Sequence, residues 1–194
     1  MVEAITARAL LRRACEEYDA PASGLAHAAT TAWRTAFASG GRWMGQALGH
    51  LRGAPPPATT RDLNWLGVVK YGLACAAALV CVALAAYLEQ PLVALLSVPA
   101  FYAVEAQMVF LFSLVLDGSA WPFRESLRWT RRAGGTLPVM VVVLPIAGTM
   151  LFGGFLGRGF VRSWCVGCLA VCLWYEALRL AEPAPQPVAP APAR

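Results

Sequence analysis

Four apolar segments constrain this chain most, because each approaches the length of about 20 residues that a helix needs to cross a bilayer. They occupy residues 65–88, 91–116, 136–157 and 160–181. The 194-residue chain is 58% hydrophobic and 14% charged, whereas a soluble domain carries about 25% charged residues. We therefore predict an all-α membrane protein, in the form of a four-transmembrane-helix bundle.

The fourth segment has the shortest uncharged core, residues 163–175. To cross a bilayer it needs Arg162 and Arg179 to extend their apolar stems toward the two interfaces. A re-entrant or interfacial fourth segment is therefore an alternative.

Two amphipathic segments precede the spans. Residues 2–19 are predicted to form a short helix, and residues 24–52 a longer one. The apolar side of the longer helix carries Leu25, Ala29, Trp33, Phe37, Trp43, Met44, Leu48 and Leu51. Its polar side carries His27, Arg34, Arg42, Gln46 and Arg52. Large aromatics opposite arginines favour an N-terminal amphipathic helix lying in the membrane interface. Packing on the bundle or on a soluble partner is the alternative.

The predicted organisation has four parts. Amphipathic helices at the cytoplasmic surface occupy residues 1–52, and a Pro-rich linker follows over 53–64, where consecutive prolines stop a helix. The transmembrane domain occupies 65–181. The tail, 182–194, is rich in proline and alanine and is predicted to be disordered.

Arginine distribution predicts the orientation. Seven arginines precede the first span and four lie in the loop 117–135, whereas the first loop, "LEQP", has no basic residue. The positive-inside rule then places both termini in the cytoplasm. The wealth of Ala, Arg, Gly and Pro is typical of a GC-rich bacterial genome, which favours the bacterial cytoplasmic (inner) membrane. Because the arginines flank apolar spans, we expect anionic lipid rather than nucleic acid as their partner.

Glu105 is the charge of the second span. It lies about 21 Å from the outer end of that span, where an unpaired charge costs at least about 2.5 kcal/mol. Lys70 in the first span is its best partner, and Tyr102 lies on the same helix face, with Gln107 two residues further on. Such a pair either fixes the register of two helices, which we favour, or acts as a proton relay or ligand site.

Three cysteines, Cys165, Cys168 and Cys172, lie on one face of the fourth segment. The C-x-x-C at its outer end resembles the vitamin K epoxide reductase family of thiol oxidoreductases. The resemblance implies a redox-active disulfide between Cys165 and Cys168 beside a bound quinone. That family also has a cysteine pair in the loop after its first span, and the first loop here has none.

The second loop is basic and aromatic. Its arginines, Arg124, Arg128, Arg131 and Arg132, are interleaved with Trp121, Phe123, Leu127 and Trp129. Basic side chains at this position bind anionic headgroups with about 1 kcal/mol each, and they also suit an acidic partner. A phosphorylated lipid-linked substrate would suit them as well, but an ordinary positive-inside anchor is the explanation that we favour.

No metal site is predicted. A tetrahedral metal ion needs four ligands, and both histidines, His27 and His50, precede the spans. No hydrolase or phosphate-loop motif is present either. We therefore predict no cofactor, and quinone is implied only for the redox alternative. The absence of these motifs favours a protein that is not an enzyme.

The composition and motifs favour a non-catalytic integral membrane subunit, scaffold or assembly factor, bound to lipids and to other membrane subunits or to copies of itself. Two alternatives remain. One is a membrane thiol-disulfide oxidoreductase using Cys165 and Cys168, and the other is a small oligomeric transporter or proton-relay component centred on Glu105.

Overall fold

The structure, a computed structural model, describes residues 5–31, 36–57 and 59–181. This part of the chain is all-helical and contains no strand. Its α-helices are α1 (Ala7–Asp19), α2 (Leu25–Thr31), α3 (Ala36–Arg52), α4 (Leu63–Tyr87), α5 (Ser97–Gln107), α6 (Leu111–Leu116), α7 (Pro122–Arg132), α8 (Thr136–Phe152) and α9 (Phe160–Leu180). The predicted tail and the side chains of Trp33 and Arg34 lie outside the described residues.

Three helical segments of the described chain are long and apolar enough to cross a membrane. They are α4, the stretch Pro91–Leu116 and α9. The number rises to four if α7 and α8, which meet at a bend of 97°, form one broken span. These segments identify an integral membrane protein.

The second span is assembled from a 3-10 turn, Pro91–Leu96, followed by α5 and α6. The break between α5 and α6 leaves carbonyl groups without helical partners. Two hydroxyl groups of α7 bind them: Thr130 Oγ1 donates to the carbonyl of Ala106 over 2.9 Å, and Ser126 Oγ donates to that of Gln107 over 2.8 Å. Docking of α7 therefore stabilises the break just after Glu105.

The third span is shorter than predicted. We expected residues 136–157, but α8 ends at Phe152 and is followed by the turn Gly154–Arg158. Gly157 has a φ of +77°, a conformation that a helix cannot continue. From the sequence, the fourth segment was the one expected to be too short to cross a bilayer. In the structure the third is shorter, since α8 has 17 residues and α9 has 21.

The N-terminal helices pack on α4, α8 and α9. The predicted helix 2–19 is observed from Ala7, capped by Thr6, and the predicted helix 24–52 is described as α2 and α3. Several described members of its apolar stripe are buried in the protein: Leu25 and Trp43 are each 2% exposed, and Leu48 is 0% exposed. Burial of these residues favours the packed alternative, and an interfacial position of the N-terminal helices stays a prediction.

Helix α9 lies at the centre of the molecule, in contact with α1, α2, α3 and α8. Of its apolar stretch 61% is buried, compared with 17% for α4 and 11% for the second span. Helix α4 and the first part of the second span present several leucines and valines outward, as lipid-facing helices do, among them Leu79, Val80, Leu92 and Leu95.

Two glycines allow α3 to approach α4. A Cβ on Gly67 would lie 2.3 Å from Cγ of Phe37, and one on Gly41 would lie 2.4 Å from Cδ1 of Leu63. The backbone N–H of Ala38 also donates to Asn64 Oδ1 over 2.8 Å. This close contact stacks Phe37 on Tyr71, which follows Lys70 in α4, and closes one side of the site described next.

Candidate functional site

A cavity of about 310 Å³ lies between α3, α4, α5, α8 and α9. Its walls are mainly apolar, and they include Met44, Phe101, Val143, Ile146, Ala147 and Met150. The charged groups of the wall are Lys70 and Glu105, which meet at one place, and Tyr71, Tyr102, Trp164 and Cys168 also line the cavity. Pockets that bind small molecules have this make-up: an apolar lining with a few placed polar groups.

The Lys70 ammonium lies 2.7 Å from Glu105 Oε1. The two side chains are only 5% and 13% exposed, so the pair is almost fully withdrawn from solvent. Nζ of Lys70 also lies 5.2 Å from the centroid of the Tyr71 ring and 5.7 Å from that of Phe112. The rings add a favourable interaction with the cation. The partner inferred for Glu105 from the sequence is thus adjacent to it.

One of the two carboxylate oxygens of Glu105 makes no hydrogen bond within the described residues. Among the described residues its Oε2 atom is buried and has no hydrogen-bond partner. Leaving a buried acceptor unsatisfied costs about 1–3 kcal/mol, and more for a charged group. Since the residue lines the cavity, this atom is available to a bound molecule that offers a hydrogen-bond donor.

The other polar candidates of the second span, Tyr102 and Gln107, lie in different surroundings. Tyr102 lines the cavity but does not bond to Glu105 Oε2. Gln107 does not line it: its Nε2 donates to Thr136 Oγ1, which ties α5 to α8. Gln107 therefore serves helix packing.

The three cysteines of α9 are free thiols. Cys168 lines the cavity, whereas Cys165 and Cys172 are buried beside it and do not line it. Disulfide chemistry between Cys165 and Cys168 stays a prediction. Within the described residues no group of histidines, cysteines or carboxylates could hold a metal ion.

A second polar cluster ties the N-terminal helices to the spans. Arg52, at the end of α3, donates to both carboxylate oxygens of Asp117 over 2.6 and 2.9 Å and to Glu176 Oε1 over 2.5 Å. The Tyr175 hydroxyl donates to Asp117 Oδ2 over 2.7 Å, and Arg179 donates to Glu176 Oε2 over 2.8 Å. Every charge in the cluster has an opposite partner.

The cluster holds Asp117 in its ionised form. Burial by itself would raise the pKa of this carboxyl, but hydrogen bonds from Arg52 and Tyr175 and the nearby positive charges outweigh burial and lower the pKa below its usual value. Hydrogen bonding to Asp117 likewise raises the pKa of Arg52. Asp117 and Arg52 are consequently both charged at neutral pH.

The arginines of the second loop belong to α7. Its buried side packs on α5 and α6, and its exposed side carries Phe123 and Leu127 beside Arg124, Arg128 and Arg131. Arg132 lies over the Trp129 ring at 5.5 Å. Contact of these arginines with anionic headgroups or an acidic partner stays a prediction.

Two features were not predicted from the sequence: the part of the cavity wall that α3 contributes, and the hydrogen bonds of Arg52 to Asp117 and Glu176. The stacked rings of Phe37 and Tyr71, 5.3 Å apart, join α3 to α4 at the cavity. The signal for this contact was present in the glycines at 41 and 67, which mark a close helix approach, but no local pattern names the partner helix.

Comparison with known proteins gives no match: no protein family, no curated protein and no solved structure is similar to this chain.

Proposed function

We propose that this protein is a non-catalytic integral membrane component that binds a lipophilic molecule in its cavity. One observation carries the proposal: an apolar cavity of about 310 Å³ contains a buried ion pair whose second carboxylate oxygen has no partner. A ligand with an apolar body and a small polar group would match such a site.

Register alone is a weaker explanation of the pair. Two charges that only align helices would be expected within close-packed side chains, since protein interiors contain few voids larger than water. Here the pair opens into a space large enough for a ligand. A ligand that fills the space and binds Oε2 removes both the void and the unsatisfied acceptor.

Filling the cavity is expected to abolish binding. Ala147 lines the cavity, so Ala147→Leu places additional carbon atoms in it. We expect at least about a tenfold loss of affinity for oleyl alcohol, equivalent to about 1.4 kcal/mol. The measurement is native mass spectrometry of the full chain released from phosphatidylcholine nanodiscs.

Gly148→Leu is the matched control, because Gly148 does not line the cavity and a Cβ there meets no atom within 4 Å. It should retain the alcohol as the wild type does. Equal retention by the Ala147→Leu variant would contradict the proposal, as would an absence of bound alcohol on the wild type.

We also propose that the protein works as a subunit or scaffold of a larger membrane assembly. Gly72, Ala76 and Ala83 share one face of α4, and all three are exposed within the described chain. A Cβ on Gly72 would meet no atom within 4 Å. Small residues on a lipid-facing surface allow a second transmembrane helix to approach closely, which supports helix association in the membrane.

Gly72→Leu tests that association. We expect the variant to fold normally and to lose the assembled species in mild-detergent size-exclusion chromatography, because leucine blocks close approach. Leu84→Phe, about 120° around α4 from Gly72, should leave assembly intact. An unchanged elution profile for Gly72→Leu would count against the proposal.

A further inference from the structure

We propose that the cavity selects an uncharged amphiphile whose head carries a hydrogen-bond donor and an acceptor on neighbouring atoms, of which a long-chain primary amide is the simplest example. The inference rests on the proposed binding function and specifies the ligand's chemical class.

The donor is required by Glu105. Its Oε1 atom is taken by Lys70, while Oε2 is buried, unpartnered and part of a residue that lines the cavity. A carboxylate oxygen only accepts hydrogen bonds, so the ligand group at Oε2 must supply an N–H or O–H.

The acceptor is required by Lys70. An ammonium group has three N–H donors, and among the described residues the oxygen that lies beside this one is Glu105 Oε1, at 2.7 Å. The neighbouring groups are the aromatic rings of Tyr71 and Phe112, more than 5 Å away at their centroids. A carbonyl oxygen next to the ligand's donor would satisfy a remaining N–H.

The head must be neutral because the pair already is. Lys70 and Glu105 together carry no net charge, and both are nearly buried among apolar side chains. A charged ligand head would leave a third, uncompensated charge in a site with a low dielectric, where the removal of an ion from water is strongly unfavourable. An amide, with adjacent C=O and N–H groups and no charge, avoids that penalty.

The ligand body must be apolar and have a route to the lipid. Met150 and Ile146 line the interior, and Leu151, which is half exposed, lies both in the cavity wall and on the outer apolar surface. An acyl chain can therefore begin at the ion pair and continue past Leu151 toward the membrane.

The test uses four probes with the same eighteen-carbon chain: oleamide, methyl oleate, oleate and oleylamine. The first is neutral with a donor and an acceptor, the second lacks the donor, and the last two are an anion and a cation. Affinities for the full chain in phosphatidylcholine nanodiscs are compared by native mass spectrometry. We expect oleamide to bind at least about tenfold more tightly than each of the others, as the loss of one hydrogen bond to a charged group implies.

Charge-altering variants sharpen the test. Glu105→Gln leaves Lys70 as the single charge and should shift the preference toward oleate. Lys70→Gln leaves Glu105 and should shift it toward oleylamine. If a variant fails to fold, the probe series on the wild type still decides.

The outcomes separate the two proposals. Equal binding of the four probes, with all of it lost in Ala147→Leu, would overturn the head-group selection and leave lipophile binding standing. Tighter binding of oleate or oleylamine to the wild type would also overturn the selection. If none of the probes binds, both proposals fail.

Discussion

Replacing Lys70 with methionine is expected to lower the free energy of unfolding by about 3–5 kcal/mol, the usual effect of removing one member of a buried ion pair. Methionine keeps much of the length and the apolar character of the lysine stem. The loss arises because Glu105, at 13% exposure, would remain buried without its cation. Thermal unfolding of the purified chain in detergent, with the wild type alongside, measures the change.

The double variant Lys70→Met, Glu105→Leu separates charge from packing. Replacing both members of a buried ion pair with apolar residues is often neutral or stabilising, so we expect the double variant to recover most of the loss. If Lys70→Met alone were as stable as the wild type, the pair would not be buried as described. A double variant that remained as unstable as the single one would indicate that the side-chain shapes matter more than the charges.

Recovery of stability would not imply recovery of binding. A double variant with wild-type stability that no longer binds oleyl alcohol would show that the pair contributes to the ligand site. One that binds oleyl alcohol and oleamide as well as the wild type would remove the ion pair from the proposed recognition. The same protein preparation serves both measurements.

Replacing Arg52 with methionine is expected to lower the free energy of unfolding by about 3 kcal/mol. Each hydrogen bond to a charged group contributes about 1.5–3 kcal/mol, and Arg52 bonds to two carboxylates while being only 20% exposed. Arg8→Met on the exposed face of α1 is the control, with an expected change within about 0.5 kcal/mol. Chemical or thermal unfolding at neutral pH provides the comparison.

The pH dependence of the Arg52 variant provides an independent check. The pKa of Asp117 in the folded state is lowered below its unfolded value of about 3.9, so its contribution to stability is present above that pH. The contribution is lost as the pH falls through the folded pKa. In Arg52→Met, burial dominates and should raise the pKa of Asp117, so the loss of stability in acid should shrink or reverse. An acid profile parallel to that of the wild type would contradict the assignment.

The membrane-crossing segments could be predicted closely because hydropathy is a local property. The first span was expected at 65–88 and is observed as Leu63–Tyr87, with Asp62 capping its first turn. The fourth was expected at 160–181 and is observed as Phe160–Leu180. Prediction was poorer for the third span, where α8 ends at Phe152 and the chain turns over Gly154–Arg158 with a positive φ at Gly157, since the sequence alone does not say which glycine takes that conformation.

The candidate site could be predicted only in part. Glu105 and Lys70 were found because a charge in an apolar segment needs a partner in a neighbouring helix that its side chain can reach. Whether that pair lies in packed side chains or faces a cavity depends on Phe37 and Met44 of α3, helix residues whose position relative to α4 is not encoded in either helix alone.

The sequence by itself determined that this chain is helical, that several of its segments suit the hydrocarbon core, and that Glu105 requires an internal partner. Each follows from the local chemistry of apolar side chains and unsatisfied charges. The tertiary structure decided that α9 lies at the centre, that Arg52 joins Asp117 and Glu176, and that the ion pair opens into a cavity. Arg52 is 65 residues from Asp117 and 124 from Glu176, and contacts at such separations depend on how whole helix surfaces pack together.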